Sequence, residues 1–245
     1  MRLLPYQWLM FGALALAPAL LTSCESGSGD AVGDAGATDS HTTAAALGLT
    51  GSGPQHPADP FADRVVAFHP GQAAGFGQAG MPGVVLGAPK GSGHKAGSLD
   101  VVSLGESGEI VLAFDDWVAI DGPGPDLLVF ENAFDGFIET GEVAVSADGS
   151  TWHTWPCNAS DTKGIFAGCA GVHAVMSAPG NGVSPVDPEQ AGGDGFDLAD
   201  LGLKAIRYVR VRDSGLNQYL MPSGGFDLDA VAVLHPAELT ATQLP

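Results

Sequence analysis

Short apolar runs separated by glycine and proline recur along most of the chain, and no segment longer than about ten residues shows helical periodicity. The runs are rich in β-branched and aromatic residues, which favour strands. With 36 Gly and 17 Pro among 245 residues, turns are abundant. The pattern predicts an all-β protein, a jelly roll or β-sandwich of about nine short antiparallel strands with long Gly/Pro-rich loops. The predicted strands are 64–68, 83–86, 100–104, 109–114, 126–131, 142–146, 151–155, 205–212 and 226–234.

The chain is strongly acidic, with 28 Asp and Glu against 9 Lys and Arg and a formal net charge of −19. A protein that binds nucleic acid by neutralising phosphates needs a cationic surface, so this charge excludes that class of partner. Attraction between the protein's own charge and anionic lipid head groups is disfavoured for the same reason.

The first 23 residues have the features of an export signal. Arg2 is the one charged residue, and the apolar run from Trp8 to Leu21 is short and alanine-rich for a membrane span. The run ends in Leu-Thr-Ser followed by Cys24, which resembles a bacterial lipobox. That resemblance implies cleavage before Cys24 and lipid attachment to it, whereas an ordinary signal peptide with an unrelated cysteine is the alternative. We therefore expect an exported protein, lipid-anchored at the outer membrane or cell surface.

Composition divides the rest of the chain into three parts. Residues 24–60 are rich in Gly, Ser, Ala and Pro and contain few large apolar side chains. Such a segment buries too little surface to offset its loss of conformational entropy, so we predict a flexible acidic tether. Residues 61–236 are predicted to form the β-sandwich domain, and residues 237–245 a C-terminal tail.

Two cysteines, Cys157 and Cys169, lie within the predicted domain. An exported chain meets an oxidising compartment and Cys24 is occupied by lipid, so the remaining pair is expected to form a disulfide. A metal site is the alternative. The spacing of the two cysteines matches no zinc pattern, and His173 is the lone candidate for a further metal ligand.

Acidic side chains cluster in the loops and at strand ends. Asp227 and Asp229 alternate along the last predicted strand, so we expect them to share a face, where like charges repel unless a cation lies between them. Calcium suits such a place because it binds six to eight oxygens, including backbone carbonyls that Gly/Pro loops expose. Solvated surface acids, with Asp197 capping a helical turn, are the alternative. The predicted ligands are Asp126, Glu131, Asp227 and Asp229, with Asp121, Asn132, Asp194 and Asp197 as second choices.

Three motifs carry a family resemblance: VAVSADGSTWHTW (143–155), IRYVRVRDSG (206–215) and GFDLDAVAVLH (225–235). They resemble, in this order, the discoidin and carbohydrate-binding-module group of galactose-binding-like jelly rolls. The block GPGPDLLVFENAF (122–134) also resembles a group of exported bacterial surface proteins. The resemblance covers about residues 65–236. It implies a domain that binds ligands, often with a structural calcium ion.

No enzyme signature is present: the sequence contains no G-x-S-x-G elbow, H-E-x-x-H pair or P-loop. We therefore expect a membrane-anchored, calcium-holding binding or adhesion module rather than an enzyme, with carbohydrate as the candidate ligand. The candidate sugar-binding residues are Trp117, Trp152, Trp155 and Tyr219, and core packing is the alternative for each. A structural lipoprotein that contacts other envelope proteins through a sheet edge is the alternative function, and a glycoside-type hydrolase with an acid pair is a third.

Overall fold

The computed structural model describes residues 59–217 and 222–238. The predicted signal peptide, the lipidation site Cys24, nearly all of the predicted tether and Tyr219 lie outside the described residues. Among the described residues, no helix has the length and apolar character needed to cross a membrane.

The regular structure in the described part is almost entirely β. Four short 3-10 helices, Gln78–Gly80, Gly83–Val85, Gly93–Lys95 and Leu198–Leu201, interrupt the strands. The strands are β1 Arg64–His69, β2 Val102–Ser103, β3 Glu109–Ala113, β4 Trp117–Ile120, β5 Leu127–Glu131, β6 Gly141–Ser146, β7 His153–Thr154, β8 Asp194–Phe196, β9 Ala205–Ile206, β10 Tyr208–Asp213, β11 Asp227–Val233 and β12 Pro236–Glu238.

The strands form three antiparallel sheets in the described residues. The first has the order β1-β3-β10-β6-β7, the second β2-β11-β5-β8 and the third β12-β4-β9. This arrangement confirms the predicted all-β sandwich of antiparallel strands. The Gly/Pro-rich connections are long, as expected, and the longest lies between β7 and β8.

Two predicted strands differ from the structure. The run at 83–86 is a 3-10 helix, because the Val85 N–H donates to the Pro82 carbonyl (3.1 Å) and the Val85 side chain packs into the core. A short apolar run predicts burial, and periodicity alone does not distinguish a strand from a buried turn. The run at 205–212 breaks at Arg207, where the chain leaves the third sheet and enters the first.

The first two sheets differ in how much of them is buried. Along β10, Val209, Val211 and Asp213 are buried while Arg212 is exposed, so the first sheet has one face towards solvent. Every residue of β5 and β11 is buried, because a second apolar cluster that includes Phe61 covers the outer face of the second sheet. Acidic residues on β5 and β11 are therefore removed from water.

Cys157 and Cys169 form a disulfide, with a sulfur–sulfur distance of 2.06 Å, which confirms the predicted pairing. The bond closes a turn-rich loop between β7 and β8. His173 does not join these sulfurs, since its Nδ1 lies 2.7 Å from an Asp194 oxygen. The alternative of a cysteine–histidine metal site therefore receives no support from the geometry.

Candidate functional site

The structure distributes the eight predicted ligands over four places. Asp121, Asp126 and Asp197 meet in one group, which we call the Asp triad. Hydrogen bonds join Glu131, Asn132 and Asp227 in a second group. Glu139, which the sequence analysis did not identify, is buried in the same region, where burial and then the charge of Asp227 raise its pKa. Asp229 and Asp194 each lie apart from both groups, with partners of their own.

The Asp triad is built from three separate segments. Asp121 directly follows β4, Asp126 directly precedes β5, and Asp197 follows β8 and begins the helix Leu198–Leu201. Each residue offers one carboxylate oxygen, and these three atoms all lie within 4.8 Å of one another. Among the described residues, this is the cluster of acidic side chains that could hold a metal ion.

Each carboxylate of the Asp triad also has a donor from the protein. Asp126 is fully buried, and its two oxygens accept from the backbone N–H groups of Gly122 and Leu198, both at 2.8 Å. Asp197 accepts from the Ala199 N–H at 2.8 Å, as an N-cap does. Asp121 pairs with the largely exposed Lys204 ammonium at 2.5 Å. Because a carboxylate oxygen accepts at more than one position, these donors leave room for a cation.

The second group, which we call the buried carboxylate group, consists of Glu131, Glu139 and Asp227 with the amide of Asn132. The three carboxylate residues are 1%, 0% and 4% exposed, respectively. The Asp227 N–H donates to Glu131 Oε1, and the Asn132 amide donates to Asp227 Oδ2, both at 3.3 Å. Five oxygen atoms of this group are buried and have no hydrogen-bond partner: Glu131 Oε2, Asn132 Oδ1, Glu139 Oε1, Glu139 Oε2 and Asp227 Oδ1.

Burial disfavours the charged forms of these acids. It raises the pKa of Glu139 to about 9, and the negative charges of Asp227 and Asp213 add to the rise. Burial also raises the pKa of Asp227 to about 6 and holds the pKa of Glu131 well above its usual range. The group therefore favours neutralisation, by protons or by a cation.

Asp229 and Asp227 do not share partners, although two residues separate them on one strand. The pairing of β11 with β5 shifts between Leu228 and Ala230, which breaks the regular alternation of side chains. Asp229 accepts from the Lys90 N–H at 2.9 Å, and its burial raises its pKa to about 7. The expectation that both aspartates flank one ion assumed an unbroken strand.

Asp194 is a buried carboxylate whose oxygens are occupied. One oxygen accepts from the N–H groups of Gly171 (2.7 Å) and Val172 (3.0 Å), and the other lies 2.7 Å from His173 Nδ1. The hydrogen bond with Asp194 raises the pKa of His173. Asp194 therefore holds an imidazole rather than joining either acidic group.

The candidate aromatic residues are placed differently from one another. Trp155 is 5% exposed, donates from Nε1 to the Asp197 carbonyl (3.2 Å) and packs against Phe196, as the core-packing alternative describes. One edge of it lines a cavity of about 330 Å³ beside the disulfide. Trp117 is half-buried, and so is Trp152, which lies under the Arg210 guanidinium at 4.7 Å.

Comparison with known proteins adds no relative to this description: no protein-family model matches the chain, and no curated protein matches it. The resemblance to discoidin-like and carbohydrate-binding modules remains a prediction from the motifs.

Proposed function

We propose that this protein is a non-enzymatic, extracytoplasmic binding module, anchored to a membrane by lipid on Cys24 and holding calcium at the Asp triad. The observation that carries the proposal is the convergence of Asp121, Asp126 and Asp197 within 4.8 Å. Three carboxylates this close repel, and the main counter-charge is Lys204, whose side chain is 86% exposed. A divalent cation would remove that repulsion.

The surroundings of the triad favour calcium over softer metals. All three side-chain donors are oxygens, and the loop between Asp121 and Asp126 has the sequence Gly-Pro-Gly-Pro. Such a loop presents backbone carbonyls, which calcium uses to complete six to eight oxygen ligands. The ion would tie three strand ends together and so fix the shape of the adjoining loops.

The disulfide supports an extracytoplasmic location. Structural disulfides persist in oxidising compartments and are rare in the cytosol. The bond between Cys157 and Cys169 agrees with export by the predicted signal peptide.

Carbohydrate is the ligand class we propose for the module. Trp117 and Trp152 are half-buried, so part of each ring lies at the surface. The Arg210 guanidinium covers one face of Trp152, so Trp117 is the first candidate to stack on a sugar ring. A glycan array probed with the purified full chain tests this, with Trp117→Ala and Trp152→Ala as variants. Binding that either variant weakens supports a carbohydrate ligand. An array without hits, together with recovery of a defined envelope protein by crosslinking in cells, would favour the assembly function instead.

The metal proposal is tested by thermal unfolding of the full chain in detergent, first in chelator and then with excess calcium. We expect calcium to raise the Tm by several degrees. Asp197→Asn keeps the cap on Ala199 but removes a charge, so it should bind one calcium fewer and show a smaller rise in Tm. Asp200→Asn is the matched control, because Asp200 is exposed and outside the triad. Equal calcium binding by both variants would contradict a metal at the triad.

A further inference from the structure

We infer that two cavities that meet at His173 form one cleft, and that this cleft binds a neutral oligosaccharide, one of whose hydroxyl groups bonds to the His173 imidazole. The inference rests on the proposed carbohydrate function and gives the sugar a binding site other than Trp117. Among the described residues that line the two cavities, neither Trp117 nor Trp152 is present.

The cleft consists of two adjoining cavities. The first, beside the disulfide, has a volume of about 330 Å³, and the second has a volume of about 490 Å³. His173 and Gly195 line both, so the two cavities meet at these residues. Pockets for small ligands measure about 300–1,000 Å³. Because each cavity alone reaches that size, the cleft suits an extended ligand of linked units.

Gly195 keeps the cleft open where the two cavities meet. It is the exposed middle residue of β8, which is an edge strand of the second sheet. A Cβ at this position would lie 3.0 Å from Pro125 Cγ and 3.8 Å from Leu128 Cδ2, and both of these residues line the second cavity. Any side chain here would therefore narrow the cleft, whereas glycine leaves the passage free.

The imidazole of His173 is exposed but held in one orientation. Its side chain is 72% exposed, and its Nδ1 lies 2.7 Å from Asp194 Oδ1. The other Asp194 oxygen accepts from the N–H groups of Gly171 and Val172, so the carboxylate itself is fixed. Within the described part of the chain, Nε2 has no hydrogen-bond partner. A ligand that bonds to Nε2 therefore meets a ring that loses little freedom on binding.

The chemistry of Nε2 favours a hydroxyl group as its partner. Since Asp194 accepts from the N–H at Nδ1, Nε2 accepts a hydrogen bond when the imidazole is neutral and donates one when it is charged. A hydroxyl group both donates and accepts, so it bonds to His173 in either state. A sugar carries several hydroxyl groups on one ring.

The charged residues of the cleft disfavour an anionic ligand. Asp200 lines the first cavity and Glu189 the second, and both are exposed. No Lys or Arg among the described residues lines either cavity. The two carboxylates repel an anion but accept hydrogen bonds from hydroxyl groups. A neutral sugar therefore suits the cleft better than an acidic or phosphorylated one.

Apolar side chains form much of the remaining surface of the cleft. They are Trp155, Ile165 and Phe166 in the first cavity and Pro125, Leu128 and Met176 in the second. Ile165 is 64% exposed. The C–H face of a sugar ring packs on such side chains and removes them from water. A metal ion or an isolated ammonium group would leave this surface uncovered.

The loop that forms the wall of the first cavity is held in place by the protein itself. One Asp161 oxygen accepts from the N–H groups of Ile165 (2.9 Å) and Phe166 (3.3 Å), and the disulfide joins Cys157 to Cys169. The first cavity is therefore formed before a ligand binds, which lowers the entropy cost of binding.

The test applies the purified full chain to an array of neutral and acidic oligosaccharides of increasing length, and then measures the Kd of each hit by titration calorimetry. We expect neutral oligosaccharides to bind, and to bind more tightly as units are added until the cleft is filled. His173→Ala removes the partner of one hydroxyl group and should raise the Kd about 10-fold. His153→Ala is the matched control, because His153 is exposed on β7 and lines neither cavity, so it should leave the Kd unchanged.

The outcomes separate this cleft from the proposed function. Binding that Trp117→Ala weakens and His173→Ala does not would keep the carbohydrate function and overturn the cleft. Hits confined to acidic oligosaccharides would also overturn the cleft. An array without hits would contradict the carbohydrate function and the cleft together.

If His173→Ala does not fold, the wild-type protein still tests the cleft by NMR of its histidine side chains. A bound oligosaccharide should shift the imidazole resonances of His173 and leave those of His153 unchanged. Resonances of His173 that do not move on binding would overturn the cleft.

Discussion

The Asp triad and the buried carboxylate group each contain three acids, yet the fold supplies every acid of the triad with a hydrogen-bond donor and leaves Glu139 in the buried group with none. The triad lies where strands give way to a loop and to a short helix, so the N–H groups of Gly122, Leu198 and Ala199 are free to donate to it. The buried group lies on and beside paired strands, whose N–H groups bond to neighbouring strands apart from the Asp227 N–H, which donates to Glu131.

Because equally buried carboxylates differ in their hydrogen-bond donors, burial by itself does not make a carboxylate a metal ligand. Asp126 is as buried as Glu139, but two N–H donors stabilise it, while Glu139 has none. An ion at the triad would supplement bonds that the protein already makes.

The largest effect is expected from removing the acceptor in the triad. In chelator, Asp126→Ala should lower the free energy of unfolding by about 4 kcal/mol, because two buried N–H donors each lose a partner at about 1–3 kcal/mol. Urea unfolding measures this. Glu106→Ala, at an exposed position, is the control and should change the value by less than about 0.5 kcal/mol. If Asp126→Ala lowers the free energy of unfolding as little as the control does, the donors to Asp126 do not stabilise the triad.

A smaller effect of opposite sign is expected in the buried group. At pH 7 and in chelator, Glu139→Gln should raise the free energy of unfolding by at least about 1 kcal/mol, because burial raises the pKa of Glu139 to about 9 and the variant removes the cost of protonating this carboxyl on folding. Urea unfolding of both proteins at this pH is the measurement. A variant less stable than the wild type would contradict the comparison.

The smallest effect is expected at Asp194, a third buried acid that, like the triad, has its own donors. The hydrogen bond from His173 raises the pKa of this histidine, so the folded state favours the charged imidazole. That contribution to stability is present at pH values below the ordinary histidine pKa and is lost as pH rises through the raised value.

His173→Gln should therefore reduce stability slightly at pH 5.5 and leave it unchanged at pH 9. The effect stays small because 72% of the His173 side chain is exposed and solvent screens the pair. His153→Gln, at an exposed position of β7, is the control. An equal effect of His173→Gln at both pH values would show that the charged pair adds nothing.

Much of the fold was predictable from local patterns. The runs that became β1, β3, β5, β6 and β11 are rich in Val, Ile, Leu and Phe, which strands favour, and they lie within one or two residues of the predicted bounds. Three strands were missed: β4, β8 and β12. β8 reads Asp-Gly-Phe and β12 begins with Pro236, so their residues favour turns, and only pairing with β5 and β4 makes them strands.

The candidate sites were predictable in residue type but not in grouping. Asp121, Asp126 and Asp197 were among the predicted ligands, and the Gly/Pro loop between the first two was a local signal. Glu139 carried no such signal, because it is one acid in an unremarkable stretch before β6. Its raised pKa arises from burial and from Asp227 on β11 and Asp213 on β10, which lie far from it in the sequence.

The sequence by itself determined the all-β class, the pairing of the two cysteines in the domain and the supply of acids near strand ends. These depend on residue type, spacing and count, which neighbouring residues along the chain display directly. Only the tertiary structure decided which acids meet, which of them receive donors and which do not. The bulge that separates Asp229 from Asp227 and the strand pairing that occupies the donors near Glu131 are set by contacts between distant segments, so no local pattern encodes them.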